Sequence, residues 1–337
     1  MNTVLVTGGA GFIGSNFVRY LLTAHPQLHV VNFDKLTYAG NLENLKDVEA
    51  HPGYRFVRGD ICVRKEIDDA IRKHDADAVV HFAAESHVDR SIMGAGVFVE
   101  TNVLGTQTVL EAARELKVGR VVHVSTDEVY GSLGGSGKFT ESTPLHPNSP
   151  YAASKAGSDL IALAYHHTFG VPVMVTRCSN NYGPYQFPEK LIPLMIANAL
   201  DNKPLPVYGE GLNVRDWLHV QDHCAAIDLV LQRGTPGGVY NIGGNNEWKN
   251  IDIVKLLLRT LGRPESLIAF VRDRPGHDLR YAIDATKIMT ELDWRPRVTF
   301  ERGLAETVEW YRSNEPWWRR VMSGEYQEYY KEMYADR

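Results

Sequence analysis

The sequence predicts an α/β protein: a doubly wound parallel sheet with helices on both faces, followed by a smaller C-terminal α/β region. Three observations lead there. Strand-length apolar runs alternate with helix-length stretches through the first half of the chain. The first run, residues 4–7, leads into a glycine-rich turn and an apolar-periodic helix through Phe17, Val18, Leu21 and Leu22. A later run, residues 120–124, reads as a buried parallel strand and ends in Ser125-Thr126-Asp127-Glu128-Val129-Tyr130-Gly131. Open α/β sheets place their ligands at such carboxyl ends.

The elements follow in order. Glycines 9, 11 and 14 match G-x-G-x-x-G, and 8, 11 and 14 match the G-x-x-G-x-x-G variant, with Phe12 and Ile13 inside the run. Such glycines tighten a turn and let the backbone approach a pyrophosphate at a helix N-terminus, as in a Rossmann-type fold. The next strand, 29–33, ends at Asp34, twenty residues past Gly14. A carboxylate there accepts from a ribose 2′-hydroxyl and repels a 2′-phosphate, which favours NAD over NADP. Strand 54–58 ends at Gly59-Asp60-Ile61, a suitable place for a carboxylate against the adenine. Run 78–82 closes with Phe82 and meets Ala83-Ala84-Glu85-Ser86-His87, whose small alanines let a cofactor lie against the strand end. A helix is expected from about 98 to 117, with Thr101 and Asn102 near its start. Residues 132–149, rich in Gly, Pro, Ser and Thr, read as a loop. Helix 151–169 and strand 173–177 resume the alternation, separated by Gly170 and Val171-Pro172 as a helix stop.

After Arg177 the character changes. Residues 178–188 are polar, aromatic and broken by prolines, and read as a loop into a second region. Lys190 and Leu191 begin a helix to about Leu200, and Pro206-Val207-Tyr208-Gly209 reads as a short strand and turn. Helix 220–232 and strand 239–242 are expected to return to the first sheet. Residues 1–177 with about 220–245 thus form one expected domain, which binds NAD. Residues of about 178–219 with 246–337 form the other, its most distinctive loop being Asp273-Arg274-Pro275-Gly276-His277-Asp278. The stretch 316–337, rich in Trp, Tyr and charge, reads as a surface helix or arm without an assigned role.

The chemistry concentrates in two pieces. Tyr151 and Lys155 lie four residues apart and share one helix face. A cation near a phenol favours the phenolate, which makes Tyr151 a candidate base for an alcohol or sugar hydroxyl. Asp127 and Glu128 add an acid and a base. As neighbours on a regular strand they would face opposite ways, so the chain must turn at the strand tip for both to reach one ligand.

Composition narrows the partners. A net charge of −5, with 23% charged and 44% hydrophobic residues, gives no reason to expect nucleic acid or an anionic membrane. The apolar runs are strand-length, and only two residues separate Met1 from the first strand, which leaves no room for a signal peptide. The three cysteines, Cys62, Cys178 and Cys224, form no CxxC pair, which fits buried thiols in a reduced cytoplasm. His219 and His223 stand at i, i+4 without an HExxH, so they read as helix-start residues and no metal site is expected. His166 and His167 read as a helix-surface feature, and His81 and His123 as satisfied core histidines. Ser125 lacks a G-x-S-x-G elbow, so a hydrolase is not supported. His87 lies near the expected cofactor without assigned chemistry.

Four stretches carry a closer resemblance: Asp34-Lys35-Leu36-Thr37-Tyr38-Ala39-Gly40-Asn41, Ala84-Glu85-Ser86-His87-Val88-Asp89-Arg90-Ser91, Thr126 to Gly131, and Arg177-Cys178-Ser179-Asn180-Asn181-Tyr182-Gly183-Pro184-Tyr185-Gln186. With the glycine turn and Tyr-x-x-x-Lys, they resemble the extended short-chain dehydrogenase/reductase superfamily, and within it the dTDP-glucose 4,6-dehydratases. The resemblance runs from Thr7 to about Trp294. The Thr-Asp-Glu triplet selects this family, since related 4-epimerases usually carry small hydroxyl residues there. The loop after Tyr130 is short beside some dehydratases of this kind.

The resemblance implies dTDP-glucose as substrate and a tightly held, self-regenerating NAD. It adds Lys35, Leu36, Thr37 and Asn181 to the cofactor residues and has Lys155 also hydrogen-bond the nicotinamide ribose. Tyr151 takes the C4 hydroxyl proton, Thr126 holds the 4-oxygen, Glu128 works at C5 and Asp127 protonates the departing C6 hydroxyl. Ser86, Asn180, Lys190, Leu191, Pro206, Val207, Tyr208, Arg215, Asn250, Asp273, Arg274 and His277 would line the nucleotide sugar's site. Arg215 and Lys190 suit a diphosphate, the one as a fork and the other as a point charge. A homodimer through helices 98–117 and 151–169, paired into a four-helix bundle, is also implied. The rival functions are a nucleotide-sugar 4-epimerase, a dehydratase of another nucleotide sugar, and a non-catalytic NAD-binding sensor. Asp127 and Glu128 speak against the epimerase. The intact Thr126, Tyr151 and Lys155 speak against the sensor, which needs only the glycine turn.

Overall fold

A computed structural model describes residues 1–273 and 275–323. In chain order its first half contains β1 (Thr3–Thr7), α1 (Phe12–Ala24), β2 (His29–Asp34), β3 (Tyr54–Arg58), α2 (Arg64–Lys73), β4 (Ala78–His81), α3 (Val88–Met93), α4 (Gly96–Phe98), α5 (Thr106–Glu115), β5 (Arg120–Thr126), α6 (Pro150–Phe169) and β6 (Val173–Cys178). The second half adds β7 (Asn180–Tyr182), α7 (Leu191–Leu200), β8 (Leu205–Tyr208), β9 (Val214–His219), α8 (Val220–Arg233), β10 (Val239–Ile242), β11 (Glu247–Lys249), α9 (Asn250–Leu261), β12 (Ile268–Val271), α10 (Thr286–Leu292), α11 (Phe300–Ser313) and α12 (Glu315–Val321).

Seven strands form one parallel sheet in the order β10-β6-β5-β4-β1-β2-β3. Both of its faces are covered, and the strand residues alternate between two cores. Val4, Val6, Val30, Val80 and Val122 pack under α1 and α8. Leu5, Val31, Val79 and Val121 pack under α2, α5 and α6. This is why the strands read as continuous apolar runs rather than alternating ones. Each fully buried Val or Leu contributes about 1.5–3 kcal/mol relative to exposure. Strand order reverses between β1 and β4, and the crevice at that switch point opens over the carboxyl ends of the strands.

Beyond β6 the chain builds two small sheets, β11-β9-β7 and β12-β8, over a separate aromatic-rich core that includes Phe300, Tyr311, Trp317 and Trp318. Residues 178–188 are therefore more than a loop: β7 pairs in parallel with β9. Strand β10 lies beside β6 at the edge of the large sheet, and α8 packs on α1.

Two further expectations need correction. The helix expected over 98–117 begins at Gly96, ends at Glu115 and passes through a π-helical stretch, Val99–Gly105. Local widening of this kind re-aims side chains. Here Asn102 turns inward, accepting from the Glu85 N–H at 2.8 Å and donating to the Glu85 oxygen and the Ser154 hydroxyl. The stretch expected as a surface arm is in part core: Trp317 and Trp318 are buried on α12, while 324–337 lie outside the described residues. Among the described residues no helix is long and apolar enough to cross a membrane.

Candidate active site

The glycine turn is built by close approach. Gly8 takes φ +70°, and a Cβ on it would sit 2.6 Å from the Ala83 nitrogen. A Cβ on Gly14 would sit 2.2 Å from the Gly8 oxygen. Gly11 caps α1 with no side-chain bond to the first amides, so the helix N-terminus faces the crevice as an anion site. Asp34 holds this turn in place. Its two carboxylate oxygens accept from the Ala10 N–H at 2.9 Å and the Leu36 N–H at 2.8 Å. Burial pushes its carboxyl up, against those two bonds. Lys35 and Asp60 form an ion pair at 2.6 Å beside it.

These features border a cleft of about 420 Å³. Of the residues expected to hold a dinucleotide, Gly8, Gly11, Phe12, Ile13, Gly14, Asp34, Lys35, Thr37, Asp60, Ile61, Phe82, Ala83, Ala84, Thr101, Tyr151, Lys155 and Asn181 line it. Leu36 does not; it sits in a left-handed conformation and donates its backbone N–H to Asp34. The glycine cradle, the carboxylate at the end of β2 and the small alanines past β4 fit a dinucleotide.

An adjoining hollow of about 140 Å³ is lined by Pro206, Val207, Tyr208, Arg215, Asn250 and His277. Glu128, Asn180, Lys190 and Leu191 line both spaces, whereas Ser86 and Thr126 line the cleft alone. Asp273 stands outside both linings and holds the His277 ring nitrogen at 2.6 Å. Arg274 lies outside the described residues. Arg215 is buried, donates to the backbone oxygens of Val214 and Asp278, and stacks 4.2 Å over the Tyr281 ring. Lys190 donates to the Ser86 oxygen at 2.8 Å.

The two spaces meet at the tip of β5. There the chain leaves the strand as a 3₁₀ turn, Asp127–Tyr130, so neighbouring side chains no longer alternate. Thr126 caps the turn by accepting from the Glu128 N–H at 3.3 Å. Gly131 ends it at φ +88°, where a Cβ would meet the His146 oxygen at 2.3 Å. Glu128 is half-buried and faces the cleft. Asp127 is buried behind the lining, with Oδ2 lacking a hydrogen-bond partner among the described residues. Burial, then the charges of Glu128 and Asp216, push its carboxyl well above the usual range, which favours its protonated form. The two adjacent carboxyl groups thus sit in distinct surroundings.

Tyr151 and Lys155 both line the cleft. Ser149 and Pro150 open α6 and bring both residues to the cleft wall. Lys155 donates to the Val124 oxygen at 2.9 Å, and burial draws it down to about 8. The Tyr151 phenol is raised well above its usual value by burial and then by Glu128, while a hydrogen bond with Thr126 pulls it down. The protein's own field therefore holds Tyr151 as the phenol.

Sequence reasoning missed Glu189 and Trp217, which line both spaces, and Tyr281, which lines the hollow. Glu189 sits buried beside Arg90 of α3 at 3.3 Å and Tyr38, from segments far apart in the chain, so no local pattern marks it. His87 caps α3 and borders the hollow. His81 bonds Thr7 and Thr106, and His123 meets Ser158 and Asp159. His219 caps α8, and His223 bonds Asn181. Cys178 and Cys224 are buried and Cys62 half-buried, none in a disulfide. Among the described residues no group of three His, Cys, Asp or Glu gathers to hold a metal ion.

Known proteins share this architecture. A family model described as GDP-mannose 4,6 dehydratase matches residues 5–307. A probable dTDP-glucose 4,6-dehydratase of Sinorhizobium fredii is 57% identical over 342 residues, covering 96% of this chain and 97% of its own. The dTDP-glucose 4,6-dehydratase of Streptomyces venezuelae, solved with NAD bound, is 58% identical at a TM-score of 0.92, covering 95% of this chain and 99% of its own. A Thermus thermophilus UDP-glucose 4-epimerase, also solved with NAD, is 32% identical at 0.86, covering 93% of this chain and 99% of its own. The fold is thus common to dehydratases and epimerases, and the higher identity to the dehydratases separates them: the chain belongs to the nucleotide-sugar 4,6-dehydratase family of the extended short-chain dehydrogenase/reductases, in the dTDP-glucose 4,6-dehydratase branch.

Proposed function

We propose that the chain converts dTDP-glucose to dTDP-4-keto-6-deoxyglucose, with NAD held in the cleft by the glycine turn, Asp34 and Lys155. The observation that carries this reading is the acidic pair itself: a fully buried Asp127 beside a cleft-facing Glu128. An epimerase has no elimination step and no use for both.

Bound there, NAD would supply the acceptor for the C4 hydride and the donor for C6, and its positive charge would favour ionisation of the Tyr151 phenol. Tyr151, as the phenolate, takes the C4 hydroxyl proton, and Thr126 donates a hydrogen bond to the 4-oxygen. The 4-ketone acidifies C5. Glu128 takes the C5 proton while Asp127 gives its proton to the C6 hydroxyl, which departs as water. Glu128 then returns its proton to C5. Arg215 and Lys190, at the rim of the hollow, suit the diphosphate, and Pro206, Val207, Tyr208, Asn250 and His277 the nucleoside.

Residues 1–177 with about 220–245 would form the NAD-binding unit, and about 178–219 with 246–337 the nucleotide-sugar unit. A cytoplasmic homodimer completes the reading. Val99, Leu104 and Leu160 are at least half exposed on the helices expected to pair, an apolar surface that a partner copy would cover. Sedimentation of a Leu104→Glu, Leu160→Glu double variant tests this: the parent runs as a dimer and the variant as a monomer, and a monomeric parent removes the proposal.

The test of function is the mass of the nucleotide sugar after incubation with dTDP-glucose and no added NAD, with UDP- and GDP-sugars in parallel. Loss of one water from dTDP-glucose alone supports the reading. A new stereoisomer of unchanged mass makes the chain an epimerase. No change, in protein that retains NAD, moves weight to a sensor.

A further inference from the structure

The catalytic set comes in two pieces on different elements. Tyr151 and Lys155 ride on α6, and Asp127 and Glu128 on the 3₁₀ turn after β5. Oxidation at C4 needs the first piece and elimination across C5 and C6 the second, so their relative position must be set by something.

Arg177, on β6 between them, touches both. Its Nε donates to Asp159 Oδ2 at 2.8 Å, one helical turn past Lys155. Its Nη1 donates to the Tyr130 hydroxyl at 2.9 Å, on the last residue of the 3₁₀ turn. The same hydroxyl donates onward to Asn241 Oδ1 at 2.7 Å, on β10. All four side chains are nearly inaccessible: Asp159 0%, Arg177 3%, Tyr130 2% and Asn241 0%. None lines the cleft or the hollow. A buried guanidinium–carboxylate pair costs about as much in desolvation as it returns in attraction, so stability alone does not account for it. What it provides is direction, since a planar fork fixes two partners at set angles.

We infer that Arg177, through Tyr130 and Asp159, is a positioning residue that holds the Asp127–Glu128 turn in register with Tyr151 and Lys155, so that elimination follows oxidation at the same sugar. This rests on the dehydratase reading above. Removing the Tyr130 hydroxyl frees the turn from its brace while leaving α6 paired to Arg177 through Asp159. Oxidation at C4 should then persist and elimination slow.

The experiment compares the NAD-loaded parent with Tyr130→Phe and Phe139→Leu during turnover of dTDP-glucose. Phe139 stacks on the Tyr130 ring at 5.0 Å, and its side chain carries no hydrogen-bonding group, so that variant controls for lost packing. In Tyr130→Phe, kcat falls ~10- to 100-fold with KM within about twofold. The absorbance of the reduced nicotinamide rises above the parent's steady level, because the elimination step has become limiting. In Phe139→Leu that absorbance stays at the parent's level. An unchanged kcat in Tyr130→Phe overturns the inference, as does equal accumulation, or none, in the two variants. A parent that releases no water from dTDP-glucose overturns both this and the function it rests on.

Discussion

Lys155 directs its ammonium to the backbone oxygen of Val124 at 2.9 Å, one helical turn from the Tyr151 phenol it was expected to tune. Burial holds that ammonium down to about 8, against 10.5 for an ordinary lysine. Between those values the unfolded chain binds the proton that the folded chain has released, so this group makes stability rise with pH. Below about pH 8 both states are charged and the full cost of burial applies, roughly 3 kcal/mol. The stability difference between the NAD-free parent and Lys155→Met, from urea denaturation, should therefore climb in the parent's favour from about pH 8 to about pH 10. A difference that stays flat with pH would show that the lysine is not desolvated as the fold implies.

Asp127 carries the opposite sign. Its folded carboxyl lies well above 3.8, so it binds a proton the unfolded chain has already lost. It is harmless below the usual carboxylate range and loses stability as pH rises toward the raised value. Asp127→Asn keeps the shape of the neutral acid without its proton. The variant should unfold at a higher temperature than the parent at neutral pH while kcat falls ~10²- to 10⁴-fold. Thermal scans beside product assays check the pair of effects, and a variant that loses both stability and activity would contradict a neutral Asp127.

The fold and most of the site were legible because they rest on local signals. Glycine spacing, an acid at a strand end and two residues at i, i+4 each follow from short-range geometry. What stayed hidden was long-range. Glu189 reaches the cleft from a loop whose partner, Arg90, lies 99 residues away. The π-helical turn that aims Asn102 inward leaves no mark in apolar periodicity. The Tyr151–Lys155 spacing was read correctly as one helix face, yet the lysine's partner was set by burial and a strand carbonyl that spacing cannot reveal. Leu36 entered through a motif, and it stands outside the cleft lining with its backbone N–H donating to Asp34.

The glycine turn yields the sharpest steric prediction. An added methyl at Gly14 has no room, lying 2.2 Å from the Gly8 oxygen and 2.8 Å from the Gly9 Cα, both backbone atoms. Overpacking of this kind costs about 1–3 kcal/mol, and the turn, not the distant core, must yield. Gly14→Ala should purify folded but depleted of NAD, with dinucleotide affinity about ten- to hundredfold weaker. The nucleotide absorbance of purified protein and titration with NAD test it. Undiminished NAD content would mean that the turn does not set the cofactor's position.

The C-terminal tryptophans extend that dependence further. Trp317 donates its indole N–H to Asn44 Oδ1 at 2.9 Å, and Asn44 Nδ2 donates to the Ala10 oxygen at 2.9 Å, inside the glycine turn. Asn44 is buried, so removing the indole donor leaves its oxygen unpaired at a cost of about 1–3 kcal/mol. Trp318 anchors the same helix differently, as a fully buried side chain whose indole donates to the Tyr311 oxygen. Trp318→Ala should therefore lose about 3–5 kcal/mol of stability by cavity formation. Trp317→Phe keeps most of the packing and should lose less stability, but NAD affinity with it, because the unpaired amide no longer holds Ala10. Denaturation and NAD titration on both variants separate the two tryptophans. Equal NAD affinity in parent and Trp317→Phe would break the chain of contacts at Asn44 and leave α12 a purely structural brace.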